Sequence, residues 1–243
     1  MSNTSFMDLT NRLLRRLNEV EISSSSDFSS TKGIQSVAKD LINSSIQDIM
    51  HREFEWPFNA TTGSQVLTAG TEEYSFPSDL KSVKWDSFLV QKDASLSEYG
   101  HYLDYISRDY YTEYMKSDDE YAGATGKSSP RFVFKGHGNG FGVSPSPDKA
   151  YTVLYEYFLK SDRLSDYDDT STIPTEFDEV IIQRALQGFY MFRDNREEAQ
   201  DAKLEFKEML EDMTNIYLGK DVRMRSHLIV HPRTIGRTAE TDG

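Results

Sequence analysis

Apolar residues recur every three to four positions at both ends of the chain and every second position in the middle. Phe6, Leu9, Leu13, Leu14 and Leu17 share one helical face, with Thr4 or Ser5 placed to cap it and Asp8 in its first turn. The run Ser23-Ser24-Ser25-Ser26 ends that helix and predicts a flexible loop. A second helix is expected from near Thr31, its stripe running through Ile34, Val37, Ala38, Leu41, Ile42, Ser45, Ile46, Ile49 and Met50. It stops at Trp56-Pro57-Phe58, because proline disfavours helix at its own position and at the one before.

The period then changes to two. Gln65–Thr68 and Tyr74–Phe76 flank Ala69-Gly70-Thr71-Glu72-Glu73 and read as a hairpin. A further strand is expected through Val83, Trp85, Phe88, Leu89 and Val90. Ser107 can cap a short helix carrying Tyr110, Tyr111, Tyr114 and Met115, and Asp118–Ser129 reads as an exposed loop. Phe132–Phe134 and Phe141–Val143 are strands joined by the turn Gly136–Gly140. From Tyr151 to Phe158 the alternation is strict, with Tyr151, Val153, Tyr155 and Tyr157 on one face. Ser161–Thr172 is a polar, acidic linker.

Helical spacing returns at Ile173-Pro174-Thr175-Glu176-Phe177-Asp178, where Thr175 is the expected cap and Asp178 its partner in a capping box. Val180, Ile181, Ala185, Leu186, Phe189 and Tyr190 line one face, and Asp194-Asn195 interrupts the helix. A last helix of about 35 Å carries Ala199, Ala202, Phe206, Met209, Leu210, Met213, Ile216 and Tyr217 and stops at Gly219. The expected fold is α+β: a bundle from residues 1–58 and 173–218, a β-rich insertion over 59–172, and an extended arm over 219–243. The arm could reach about 80 Å at about 3.3 Å per residue. Up to Arg237 it carries Lys220, Arg223, Arg225, Arg233 and Arg237 against Asp221, around the apolar run Leu228-Ile229-Val230. A solvated tail has no use for such a run.

Charge sharpens this division. The net charge is −13, while residues 219–243 carry five basic and three acidic side chains, so residues 1–218 carry −15. Such a body repels nucleic acid, whose phosphates need clustered Lys and Arg. With no cysteine, disulfides, thiolate zinc sites and cysteine nucleophiles are all excluded. No secretory leader or membrane-spanning run is read, and no membrane partner is expected.

Local strings that invite a catalytic reading each fail a physical test. Gly126-Lys127-Ser128 lacks the first glycine of a phosphate loop, with Tyr121 in its place, and is followed by Pro130 and a strand instead of a helix. Gly136–Gly140 leads into a strand, so it offers no helix N-terminus to a pyrophosphate. His51, His101, His137, His227 and His231 share no ligand spacing with a carboxylate, and Asp118-Asp119 and Asp168-Asp169 read as solvated surface. Tyr110, Tyr111 and Tyr114 are interleaved with acids, not bases, which favours packing over base stacking. No catalytic, cofactor or metal residues are expected.

One ordered series is more specific: Trp56-Pro57-Phe58, then Leu67–Leu80, Ser129-Pro130-Arg131-Phe132, Phe141–Asp148, the strand from Tyr151, and Ile173-Pro174 with two terminal helices. Over roughly residues 30–218 it resembles the head-to-tail adaptor proteins of tailed bacteriophages, the tail tubular protein A or gatekeeper type. The resemblance implies a non-enzymatic virion protein, made in the host cytoplasm. It implies a homo-oligomeric ring, commonly a dodecamer, between the portal protein and the tail nozzle or tail tube, with DNA passing through unread. It also implies a C-terminal arm in the clefts of the portal. The residues expected to dock are Arg223, Arg225, His227, Leu228, Ile229, Val230, His231, Arg233, Ile235 and Arg237. A neck stopper or tail-terminator ring is the structural alternative, and an enzyme with an unread site the remaining one.

Overall fold

The computed structural model describes residues 3–52, 55–91, 100–116, 126–161 and 163–218. Its fold is α+β, with two hydrophobic cores, one built by helices and one by strands.

Helix α1 (Phe6–Arg16) is capped by Ser5, whose hydroxyl oxygen accepts from the Asp8 N–H at 3.2 Å. The serine run is not a loop. Ser24 caps a five-residue helix, α2 (Ser25–Ser29), accepting from the Asp27 N–H. Phe28, the one apolar residue there, is buried edge-on against Phe6 at 5.1 Å, and this anchors an otherwise polar turn. Helix α3 (Ile34–His51) starts with the first residue of its apolar stripe, three residues after the expected start near Thr31, because Gly33 turns the chain into it at φ 61°.

Among the described residues the remaining helices are α4 (Arg108–Tyr110), α5 (Asp178–Phe192) and α6 (Arg196–Tyr217). Asn195 caps α6 and Asp194 takes a φ of 55° in the turn before it. The helical core joins Leu9, Leu13 and Leu14 of α1 to Ile42, Ile46 and Ile49 of α3, Val180, Ile181 and Ala185 of α5, and Phe206, Leu210 and Met213 of α6. Ile216 of α6, assigned to this face by periodicity, is instead 66% exposed.

Thr175 does not cap α5. It opens a 3-10 turn, Thr175–Phe177, and the Asp178 carboxylate turns inward to α1 instead of back to the Thr175 backbone. The acidic linker 161–172 is likewise a strap on the bundle, not a free connection. The Phe6 and Met7 N–H groups donate to Asp169 and Tyr167 carbonyls, and Asn43 exchanges two hydrogen bonds with the Leu164 backbone.

The strands are β1 (Ala60–Leu67), β2 (Glu73–Ser75), β3 (Leu80–Val83), β4 (Leu89–Val90), β5 (His101–Tyr102), β6 (Asp104–Ile106), β7 (Phe132–Lys135), β8 (Gly140–Ser144) and β9 (Tyr151–Leu159). One sheet runs β1-β9-β4-β5, with β3 also on β9, and the other runs β2-β8-β7-β6. The expected hairpin between β1 and β2 does not exist: β1 pairs with β9 and β2 with β8, in different sheets. The segment between them turns because the Tyr74 hydroxyl bonds the Thr68 N–H and the Thr68 and Thr71 carbonyls, a side chain standing in for strand pairing. The expected strand through Val83–Val90 is broken into β3 and β4 by a 3-10 turn, Trp85–Ser87.

Between the sheets lies an aromatic core. Every pair among Phe76, Phe88, Phe141 and Tyr155 has its ring centroids 5.1–6.4 Å apart. Behind β8, Phe134 lies over Gly142 and stacks at 3.9 Å on Tyr111, which follows α4 in a π turn, Tyr111–Met115.

Candidate functional site

Arg223, Arg225, His227, Leu228, Ile229, Val230, His231, Arg233, Ile235 and Arg237 all lie outside the described residues, as does Asp118-Asp119. What is described is the end of α6, from which that segment continues. Tyr217, in the last turn of α6, sets its ring edge-on to Phe58 at 5.3 Å and to Phe177 at 5.6 Å. Its hydroxyl donates to Glu176 at 2.8 Å. Burial, and then the bond to and charge of Glu176, raise the Tyr217 phenol above its ordinary range, so it stays a donor at neutral pH.

Phe58 in turn stacks on Trp56 at 5.6 Å, and the buried Trp56 indole donates to the Ile49 carbonyl at 3.2 Å. The chain therefore leaves α6 from a clamp of aromatics where α3, α6 and the entrance to β1 meet. Periodicity did not reveal this clamp. The available signal was the pair Pro57-Phe58 and Pro174–Phe177, in which a helix breaker is followed closely by an aromatic ring.

One residue on from Phe177 of the clamp, Asp178 is buried at 3% exposure and holds α1 to α5. It accepts from Thr4 Oγ1 at 2.5 Å and from Arg12 at 2.8 Å. Burial raises its pKa, and the Thr4 and Arg12 hydrogen bonds and the Arg12 charge oppose that rise. Asp169 is not plain solvated surface: its carboxylate accepts from the Ser165 and Asp166 N–H groups, which lower its pKa and close the strap's turn.

The body's surface is acidic where it is longest. On α6, Glu197, Glu198, Asp201, Glu205, Glu208, Glu211 and Asp212 are exposed against Arg196, Lys203 and Lys207. On the strand half, Glu73 gathers Arg108 at 3.0 Å and His137 at 3.0 Å. Burial alone would raise the Glu73 pKa, but the His137 bonds and Arg108 bring it below the ordinary value. This cluster fastens β2 to the β7–β8 turn. His101 bonds the Pro130 carbonyl at 2.7 Å. After Gly126-Lys127-Ser128 the Ser128 N–H donates to Ser146, and no helix follows. Among the described residues no group of three or more His, Asp or Glu could hold a metal ion, and no helix is long and apolar enough to cross a membrane.

No curated protein matches the chain. A family profile does: that of the SU10 adaptor protein matches residues 4–230, and so takes in both cores, the aromatic clamp and the sequence that follows α6 as far as Val230. This is a family of structural phage adaptors, not of enzymes, and adaptors work against other virion components. On a match that spans nearly its whole length, the chain belongs to the SU10 adaptor protein family of bacteriophage adaptor proteins.

Proposed function

We propose that copies of this chain form a ring, of the dodecameric kind, that joins the portal to the tail nozzle or tail tube and surrounds the DNA channel. The observation that carries the reading is the adaptor-family match over residues 4–230, which continues past the last turn of α6 into the basic segment. Residues 1–58 and 173–218 form the ring wall, and residues 59–172 face a neighbouring component. The segment 219–243 docks on the portal through Arg223, Arg225, Arg233, Arg237 and the apolar run Leu228–Val230.

Charge pairs between the arm's arginines and portal carboxylates would set register and orientation more than raw affinity. Repetition around a ring turns a weak site into a strong one through effective concentration. The body's charge of −15 gives a conduit along which DNA slides without adhering. A cryo-EM reconstruction of connector particles tests this. The expected result is twelve copies seated against the portal with each C-terminal segment in a portal cleft. A six-copy ring, or one placed further down the tail, would favour a stopper or terminator instead.

A further inference from the structure

Among the described residues, strand β1 is an open edge. It has eight residues, no charge and no proline, in a chain of which 28% is charged. Among the described residues β9 is the one strand it pairs with. Edges of this length are ordinarily blunted by charge, proline or a bulge, because their open backbone groups recruit other strands.

The direction of those groups follows from β9. The Gln91 and Lys84 N–H groups donate to the Thr152 and Glu156 carbonyls, so the even-numbered residues of β9 face β4 and β3. Tyr151, Val153, Tyr155 and Tyr157 therefore face β1, opposite Leu67, Gln65, Gly63 and Thr61. By the same alternation Ala60, Thr62, Ser64 and Val66 turn their backbone groups outward, and all four residues are exposed. Two of these outward groups are already used. The Ala60 N–H donates to the Pro57 carbonyl, and the Val66 carbonyl accepts from Gln65 Nε2 at 2.9 Å.

We infer that this edge pairs with the same edge of a second copy, antiparallel and centred on Gly63. Thr62 then lies opposite the partner's Ser64, and Ala60 opposite the partner's Val66. Thr62 and Ser64 exchange both bonds, and the Val66 N–H donates to the Ala60 carbonyl. Every open group on each strand is met. The two groups used internally are the pair that this register sets facing each other, so their loss leaves no vacancy. Slipping the register by two residues in either direction leaves two groups per strand unmet. The side chains at the contact are small and uncharged, so neither copy repels the other.

Pairing one strand buries far less than the roughly 1,200 Å² of a standard interface, which makes the dimer weak. A two-fold contact cannot propagate around a cyclic ring, so this dimer belongs to the unassembled protein. Its failure would leave the adaptor reading untouched.

The full chain is examined by sedimentation equilibrium at about 100 µM and above, where a weak dimer is populated. A monomer–dimer equilibrium is expected. Ser64→Pro removes an outward N–H and no β1–β9 bond, and should weaken dimerisation by at least about tenfold with an unchanged circular dichroism spectrum. Ser64→Ala should leave it intact. Because the chain has no cysteine, register is read directly from Thr62→Cys and Ser64→Cys variants mixed under mild oxidation. Facing residues about 5.5 Å apart lie within disulfide reach, so the mixed disulfide should form faster than either homodisulfide.

A strictly monomeric protein, or an oligomer indifferent to Ser64→Pro, overturns the inference. So does a lack of preference for the mixed disulfide. Slow amide exchange at Thr62 and Ser64 in a monomer would also overturn it, since the chain would then cover its own edge. Should Ser64→Pro fail to fold, the cysteine pairing decides.

Discussion

The two cores bury apolar surface by different means. The helical core is mostly Leu, Ile, Val and Ala drawn from segments more than a hundred residues apart, side chains that can repack, with Phe6, Phe28, Trp56, Phe177 and Phe206 set among them. One glycine matters there: a Cβ on Gly188 would lie 2.6 Å from Leu41 Cδ2, a flexible side-chain end. In the strand core, aromatic rings lie directly on glycines. A Cβ on Gly63 would meet the Tyr155 ring at 2.6 Å, and one on Gly142 would meet Phe134 at 2.2 Å. Flat rings that stack on a neighbouring ring have nowhere to retreat. The helical core is thus specified by volume, and the strand core by shape.

The largest expected effect follows from that rigidity. Gly142→Val should cost about 3 kcal/mol or more, because Phe134 cannot move without breaking its stack on Tyr111. Urea denaturation measures it, and a cost under about 1 kcal/mol would erase the contrast. In the helical core, Leu13→Ala should cost about 2–5 kcal/mol but Leu13→Met less than about 1.5 kcal/mol. Comparable losses for the two Leu13 variants would mean that shape, not volume, governs there as well.

Asp178 sharpens the comparison, since it is the buried acid that ties α1 to α5. Asp178→Ala should cost about 2 kcal/mol by leaving Thr4 and the half-exposed Arg12 without their acceptor. Its folded pKa is raised, chiefly by burial, above the ordinary 3.8. Its contribution is therefore full below that value and is lost as pH rises through the folded one. Thermal unfolding of Asp178→Asn across the acid range should be flatter than wild type. An unchanged slope would remove Asp178 as the source.

The smallest effect concerns Tyr155, whose phenol burial pushes up to about 12, with the nearby Tyr157 and Asp79 adding to the shift. Stability tied to it is present below pH 10 and lost as pH approaches 12. Absorbance titration should show several tyrosines titrating late, with the component near pH 12 lost in Tyr155→Phe, whose stability at neutral pH should fall by less than about 1 kcal/mol.

Helices were the legible part of the chain, because a 3.6-residue stripe reports burial directly. The cap of α1 at Thr4 or Ser5, the break at Asp194-Asn195 and the α1, α3, α5 and α6 stripes follow from local spacing. Strand existence was legible too, but strand partners were not. Alternation at Gln65–Thr68 and Tyr74–Phe76 says that each segment is half buried and nothing about which sheet holds it. The two-residue β5 and three-residue β6 are too short and polar to show any period. Asp178 occupies a capping position, and only the approach of α1 makes it a buried acceptor. The α6 helix ends where the spacing stops, at Tyr217, but the clamp it closes on draws Phe58 and Phe177 from distant segments.

The central claim is that the folded body and the C-terminal segment divide the work, one building a conduit and the other gripping the portal. Deleting residues 219–243 and measuring attachment to portal-bearing heads tests it most directly. The account predicts a body with an unchanged circular dichroism spectrum and thermal midpoint that no longer joins the heads. Attachment at the level of the intact chain would contradict it.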